Sequence, residues 1–166
     1  MSFRIGQGID FHRLEKGLDL WLGGIKIPSD YGCVAHSDGD VLLHALCDAL
    51  LGAAGLNDIG HHFPDTSSEF KNIDSKILLE RCVKKITENG FRLINADCTV
   101  CLEAPKIASF VPSMRKIISG ITGVEEDCIS IKAPQQRRWD LPVVVKGSWL
   151  LPLHFLRKHK WISRKK

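Results

Sequence analysis

No stretch of this 166-residue chain approaches the roughly 20 consecutive apolar residues that a membrane span requires. Its opening residues, Met-Ser-Phe-Arg-Ile-Gly, lack the basic-then-apolar layout of a secretory signal, so a cytoplasmic location is expected. No internal repeat is visible, which sets aside solenoids and propellers. The six cysteines (Cys33, Cys47, Cys82, Cys98, Cys101, Cys128) form no disulfide or zinc framework. Only Cys98 and Cys101 approach knuckle spacing, and Thr99-Val100 between them reads as strand rather than turn. Reduced thiols in a cytosolic core are the expectation.

Acidic residues are nearly missing from the end of the chain. From Pro134 to Lys166 nine Lys and Arg stand against one acid, Asp140, giving that segment +8. The whole chain carries +4, which leaves −4 for the rest. Trp139, Trp149 and Trp161 also fall there. Such a shift marks a segment with its own partner or a fault in the segment.

What remains is ordinary in bulk. A hydrophobic fraction of 44% and a charged fraction of 25% suit one globular domain able to bury a core. Phe3–His12 reads as a strand with Ile5, Ile9 and Phe11 as apolar members. Leu18–Pro28 reads as a hairpin around Gly23-Gly24. Ser37 or Asp38 is expected to cap a helix through Val41, Leu42, Leu46, Ala49, Leu50 and Ala53 that is apolar nearly all round and therefore buried. Residues 57–71 read as loop. Asp74–Asn89 is an amphipathic helix with Ile77, Leu78, Cys82, Val83 and Ile86 on one face and Gly90 as its stop. Phe91–Glu103 returns to strand, Pro105–Ile121 to helix with a break at Pro112, and Cys128–Ala133 is a last strand. The interleaving predicts an α+β fold, with helices packed on one face of a mixed β-sheet and an early hairpin.

Three groups of residues carry chemistry. Asp10 and His12 are two apart on a strand and project together, a pair that suits a divalent ion. Taken alone, such a triplet occurs more often by chance than at a metal site. His36-Ser37-Asp38-Gly39-Asp40 followed by His44 concentrates polar groups against an apolar helix, where each must be satisfied. A third metal ligand would satisfy His44, and so would a hydrogen bond to Asp48 one turn on. With Asp10 and His12 it would complete a three-ligand site with an open position. Asp58-Ile59-Gly60 and Phe63-Pro64-Asp65-Thr66 form a loop rich in donors and carboxylates. Lys106, on the expected first turn of a helix, opposes the helix dipole unless an anion lies near.

In this order the segments resemble the 2-C-methyl-D-erythritol 2,4-cyclodiphosphate synthase family. The resemblance runs over residues 3–133 through Arg4-Ile5-Gly6, Asp10-Phe11-His12, Ala35-His36-Ser37-Asp38-Gly39-Asp40, His44-Ala45-Leu46 and Asp48 to Ala54. It continues through Asp58-Ile59-Gly60, Phe63-Pro64-Asp65-Thr66, Asp74-Ser75, Ala104-Pro105-Lys106 and Ile131-Lys132-Ala133. It implies a metal-dependent phosphorus–oxygen lyase of the non-mevalonate isoprenoid pathway, a homotrimer with active sites between subunits. Such an enzyme would be cytoplasmic, or stromal in a plant plastid. Asp10, His12 and His44 would be the metal ligands, expected to hold zinc, while magnesium or manganese would accompany the diphosphate. His36 would help stabilise the transition state. Substrate contacts would come from Asp10, Phe11, His12, His36, Ser37, Asp58, Ile59, Gly60, Phe63, Pro64, Asp65, Thr66 and Ser67. Leu102, Glu103, Ala104, Pro105, Lys106 and Ala133 would add the cytidine-phosphate pocket.

After Ala133 the resemblance stops. The family continues Thr-Thr-Thr-Glu, then a glycine-rich stretch opening a closing helix. Here Gln135 stands at the middle threonine and Arg137 at the glutamate expected to assist the second ion. Loss of one base at the Ala133 codon would account for this, because the neighbouring frame can encode the missing ending past Trp139 and Trp149. Residues 1–133 then form an incomplete synthase domain and 134–166 an aberrant tail, impairing activity and solubility around Trp149–Phe155. A nucleic-acid or membrane arm is the competing reading of the tail, and neither partner is expected. Two other readings of the chain are a catalytically dead, cytidine-nucleotide-binding trimer and another metal-dependent phosphoesterase.

Overall fold

The first strand is built around two missing side chains. A Cβ on Gly6 would lie 1.8 Å from the Ala49 carbonyl oxygen, and one on Gly8 would lie 2.0 Å from that of Ala45. Only glycine permits the helix α1 (Val41–Ala54) to lie so close to β1 (Phe3–Gln7). The alternation read over Phe3–His12 is therefore real, but its inward members are glycines. Ile5 and Phe11 face away from α1 and are 62% and 64% exposed. The single expected strand is also two, since β2 (Asp10–Lys16) starts after an interruption at Gly8-Ile9.

The computed structural model describes residues 3–133, 147–150 and 153–158. The hairpin stands where the sequence put it: β3 (Leu20–Leu22) pairs with β4 (Ile25–Ile27) across Gly23-Gly24. Both turn glycines have positive φ, 60° and 80°, the conformation a two-residue turn demands. A short strand β5 (Tyr31–Cys33) then pairs with β2.

In α1, 12 of 14 residues are buried, as its nearly uninterrupted apolar sequence requires. Its N-cap is Asp40, not Ser37 or Asp38. The Asp40 carboxylate accepts from the Leu43 amide at 3.0 Å and from the Gly23 and Gly24 amides of the hairpin turn, so a partner distant in sequence decides the cap. Residues 57–71 are not wholly loop. They contain a single helical turn α2 (Ile59–His62), capped by Asp58, and a 3₁₀ turn at Ser68–Phe70.

The amphipathic segment forms α3 (Ser75–Glu88), capped by Asp74, with Leu78, Leu79, Cys82 and Ile86 buried. Ile77, expected on that face, is 41% exposed, and Leu79 takes its place in the core. Cys98 and Cys101 lie on the long strand β6 (Phe91–Cys101). The expected helix over Pro105–Ile121 starts late. A 3₁₀ turn at Ala108–Phe110 leads into α4 (Val111–Thr122), with Pro112 in its first turn where the missing N–H costs nothing.

Strand β7 (Ile129–Lys132) runs parallel to β6. It is not the last strand. In the tail, where the family's closing helix was expected to be missing, β8 (Gly147–Leu150) and β9 (Leu153–Lys158) join the sheet. β8 pairs antiparallel with β2 and β6, and β9 pairs antiparallel with β1 and β6. The result is a mixed seven-stranded sheet with α1 against β1, β9, β2, β6 and β8, α3 packed on α1 and β6, and α4 packed on α3 and β7. The α+β reading is correct, and the core lies between α1, α3, α4 and the sheet.

Candidate active site

Asp10 opens β2, so Asp10 and His12 share the face turned toward α1 while Phe11 takes the opposite one. His44 stands on the first turn of α1, whose start is fixed by Asp40. The three side chains converge. Asp10 Oδ2 lies 3.0 Å from His44 Nδ1 and 3.2 Å from His12 Nδ1. One potential ligand atom from each residue lies within 4.8 Å of the others.

His12 Nδ1 is buried yet makes no hydrogen bond, because its approach to Asp10 has the distance without the angle. Two imidazole nitrogens aimed at one carboxylate oxygen, one of them unsatisfied, fit a cation between them better than they fit one another. The electrostatics agree. Burial acts to raise the Asp10 carboxyl, but His12 and His44 outweigh it and hold the group far below the usual carboxylate range. For His44 burial acts to lower the pKa, and Asp10, with Asp40 and Asp38 behind it, raises it instead.

Of the two ways of satisfying His44, the hydrogen bond to Asp48 is not formed. His44 Nε2 is 2.8 Å from Ser75 Oγ and 3.1 Å from Ser37 Oγ. Ser75 is fully buried at the start of α3, and sequence reasoning gave it no role. The signal available was a small hydroxyl residue next to a capping Asp74 on an otherwise apolar helix face. Asp48 serves another purpose: its carboxylate accepts the Ile59 amide at 2.7 Å and anchors the loop entering α2.

A cleft of about 520 Å³ opens beside this centre, lined by His12, His36, Ser37, His44, Ile59, Gly60, Phe63, Pro64, Asp65 and Thr66. The loop carrying His36 is tied to the far wall, since the His36 carbonyl accepts the Asn72 amide at 2.8 Å and its ring reaches the Ser67 carbonyl at 3.4 Å. Asp58 stands at the rim as the cap of α2, and Phe11 points elsewhere. Leu102 to Lys106 do not line the cleft. They follow β6, and Ala133 follows β7; because these strands run parallel, with Thr99 opposite Lys132, the two segments emerge at one end. Lys106 lies before the 3₁₀ turn, not on a helix, so the dipole argument for it fails. Gln135, Arg137 and most of the tail lie outside the described residues.

A strand and a buried helix presenting Asp, His and His to an open cleft are the apparatus of a metalloenzyme. The chain belongs to the YgbB family, whose model matches residues 3–141. It is 57% identical over 130 residues to the 2-C-methyl-D-erythritol 2,4-cyclodiphosphate synthase of Chlorobium phaeovibrioides, covering 78% of this chain and 83% of that protein. It is 50% identical over 133 residues to the synthase of Bacteroides fragilis, covering 80% and 84%. A solved 2C-methyl-D-erythritol-2,4-cyclodiphosphate synthase in a CDP-bound form resembles it with a TM-score of 0.84 at 34% identity, over 93% of this chain and 100% of that one.

Proposed function

We propose that the chain converts 4-diphosphocytidyl-2-C-methyl-D-erythritol 2-phosphate into 2-C-methyl-D-erythritol 2,4-cyclodiphosphate, releasing CMP. An oxygen of the 2-phosphate attacks the β-phosphorus, the bond from that phosphorus to the CMP oxygen breaks, and CMP leaves with the bridging oxygen. No covalent enzyme intermediate is needed. The protein must fold the substrate so that attack is in line, and must offset repulsion between two anionic phosphoryl groups.

The observation that carries this reading is the Asp10–His12–His44 cluster with its unsatisfied His12 nitrogen, opening into the cleft. These residues would hold zinc, and magnesium or manganese would enter with the diphosphate. A divalent cation in such a site supplies positive charge and a template for phosphoryl oxygens. His36 and Ser37, on the loop over the cleft, are positioned to meet phosphate. Ile59, Gly60, Phe63, Pro64, Asp65 and Thr66 form a wall for the methylerythritol, with Asp58 and Ser67 at its ends. Leu102 to Lys106 and Ala133 are the segments assigned to cytidine, the nucleotide seen as CDP in the related structure. Location in the cytoplasm accords with this chemistry, and no helix among the described residues is long and apolar enough to cross a membrane.

We assign a homotrimer because the family resemblance implies one, and the sheet face opposite α1 presents Phe3, Ile5 and Ile9 as an apolar surface that a neighbouring subunit would cover. We divide the chain at Ala133, reading residues 134–166 as the product of a shifted frame. Arg137 then stands where a carboxylate should assist the second ion. Resequencing the DNA across codons 130–140 tests this, and an intact frame refutes it.

Phosphorus NMR of the purified chain with the cytidyl substrate, zinc and magnesium tests the function. Cyclic diphosphate with CMP is the expected product. Free phosphate instead would establish a phosphoesterase. CMP binding without turnover, relieved by restoring the shifted-frame ending, would establish a trimer disabled by its tail.

A further inference from the structure

Behind the metal cluster lies a hydrogen-bond chain that reaches a second carboxylate. The Ser75 hydroxyl donates to Asp38 Oδ1 in a short contact, and the Ser75 amide donates to Asp38 Oδ2 at 2.9 Å. Asp38 Oδ1 also takes the Asp40 amide at 3.2 Å. The loop is held in register by the Asp38 amide, which donates to the Ile73 carbonyl at 3.1 Å. An ionised carboxylate only accepts, so the Ser75 proton is committed to Asp38. The Ser75 oxygen then faces His44 Nε2 at 2.8 Å with lone pairs alone. It can only receive a proton from that nitrogen.

We infer that Asp38 and Ser75 are positioning residues that hold His44 by its Nε2–H, so that Nδ1, which meets Asp10 Oδ2 at 3.0 Å, is the nitrogen turned to the metal position. The inference rests on the reading of Asp10, His12 and His44 as a metal centre, and assigns what aims one ligand of it. Ser37 Oγ, 3.1 Å from the same Nε2, is the weaker acceptor. It is partly exposed on the loop over the cleft, and it already takes the Gly39 amide at 3.2 Å. Ser75 is fully buried at the start of α3, an element separate from that loop. A ligating imidazole whose outer nitrogen is fixed in this way keeps ring angle and basicity, and losing such a partner costs about 10–100-fold in metal affinity.

The test is nitrogen-15 NMR of the imidazoles in the zinc-loaded full chain, with zinc affinity measured in parallel. His44 is expected as the single Nε2–H tautomer. Ser75→Ala leaves the Asp74 cap intact, and it should produce a mixture of tautomers and weaken zinc binding about 10–100-fold. Asp38→Asn is the second variant. It sets an amide N–H against a donor on either orientation, and should also abolish the single tautomer. His44 found as Nδ1–H in the unmutated chain overturns the inference. So does a folded Ser75→Ala whose nitrogen pattern and zinc Kd are unchanged. An unmutated chain that binds no zinc refutes the metal centre, and an Nε2–H signal of its His44 that is lost in Ser75→Ala still supports the positioning role.

Discussion

Asp40 Oδ2 lies 2.6 Å from the Gly24 amide nitrogen, joining the turn of the β3–β4 hairpin to the first turn of α1. Burial raises the carboxyl, while the amides of Gly24, Leu43 and Gly23 pull the other way. Asp40→Ala removes a helix cap and strands two buried turn amides. We expect a loss of about 3 kcal/mol, from ~1 for the cap and ~1 or more for each orphaned N–H. In a chain of this size that lowers Tm by roughly 6–12 °C. Thermal denaturation followed by circular dichroism measures it, and a shift under 2 °C would contradict the assigned role.

Removal of a metal ligand should separate function from folding. Asp10→Ala and His44→Ala are expected to weaken zinc binding beyond the ~10–100-fold that loss of an outer partner costs, and to abolish product formation. A chelator should do the same to the unmutated chain, reversibly on adding zinc. Full activity after exhaustive chelation, verified by elemental analysis, would refute the metal-dependent reading.

Zinc and protons compete for His44. Its pKa is raised because Asp10, Asp40 and Asp38 together overcome burial, so the metal-free ring keeps its proton above the ordinary 6.5. Zinc affinity should therefore climb with pH until it passes that raised value, then level. Asp10 is held so low that it adds no competition over this range. Calorimetry in buffers of different ionisation heats should show proton release on binding at pH 6.5. In the metal-free chain the linkage has the opposite slope. The raised His44 contributes stability that is complete below its unfolded value and disappears as pH rises through the folded one.

The exposed sheet face should govern assembly. Burying one isoleucine is worth about 1.5–3 kcal/mol per chain, so Ile5→Lys is expected to convert the proposed trimer into monomer. Analytical ultracentrifugation reads the mass directly. An unmutated chain that sediments as a monomer would remove the assignment altogether.

Much of this architecture was legible from residue pattern. Gly23-Gly24 between two apolar runs specified a turn, and the run from Val41 to Ala54 specified a buried helix, because both signals are local. The cap of α1 was not. Ser37, Asp38 and Asp40 are all good caps, and the choice fell to Asp40 because of amides 16 and 17 residues away. Ile5 and Phe11 looked like strand members and are, but which face meets the helix was decided by Gly6 and Gly8, which carry no hydrophobic signal. At the site Asp10, His12 and His44 were visible as residue types at strand and helix spacing. Ser75 stood in the resembling segment Asp74-Ser75 but drew no role, because its importance comes from Asp38, 37 positions away in sequence and adjacent only after folding.

Asp48 and His44 stand one helical turn apart on α1, one bound to the Ile59 amide and the other to Asp10. The helix thereby acts as a ruler. Its pitch of about 5.4 Å sets the offset between the cation position and the loop assigned to the sugar. Inserting or deleting a residue between His44 and Asp48 would rotate one anchor away from the other by about 100° without touching either side chain.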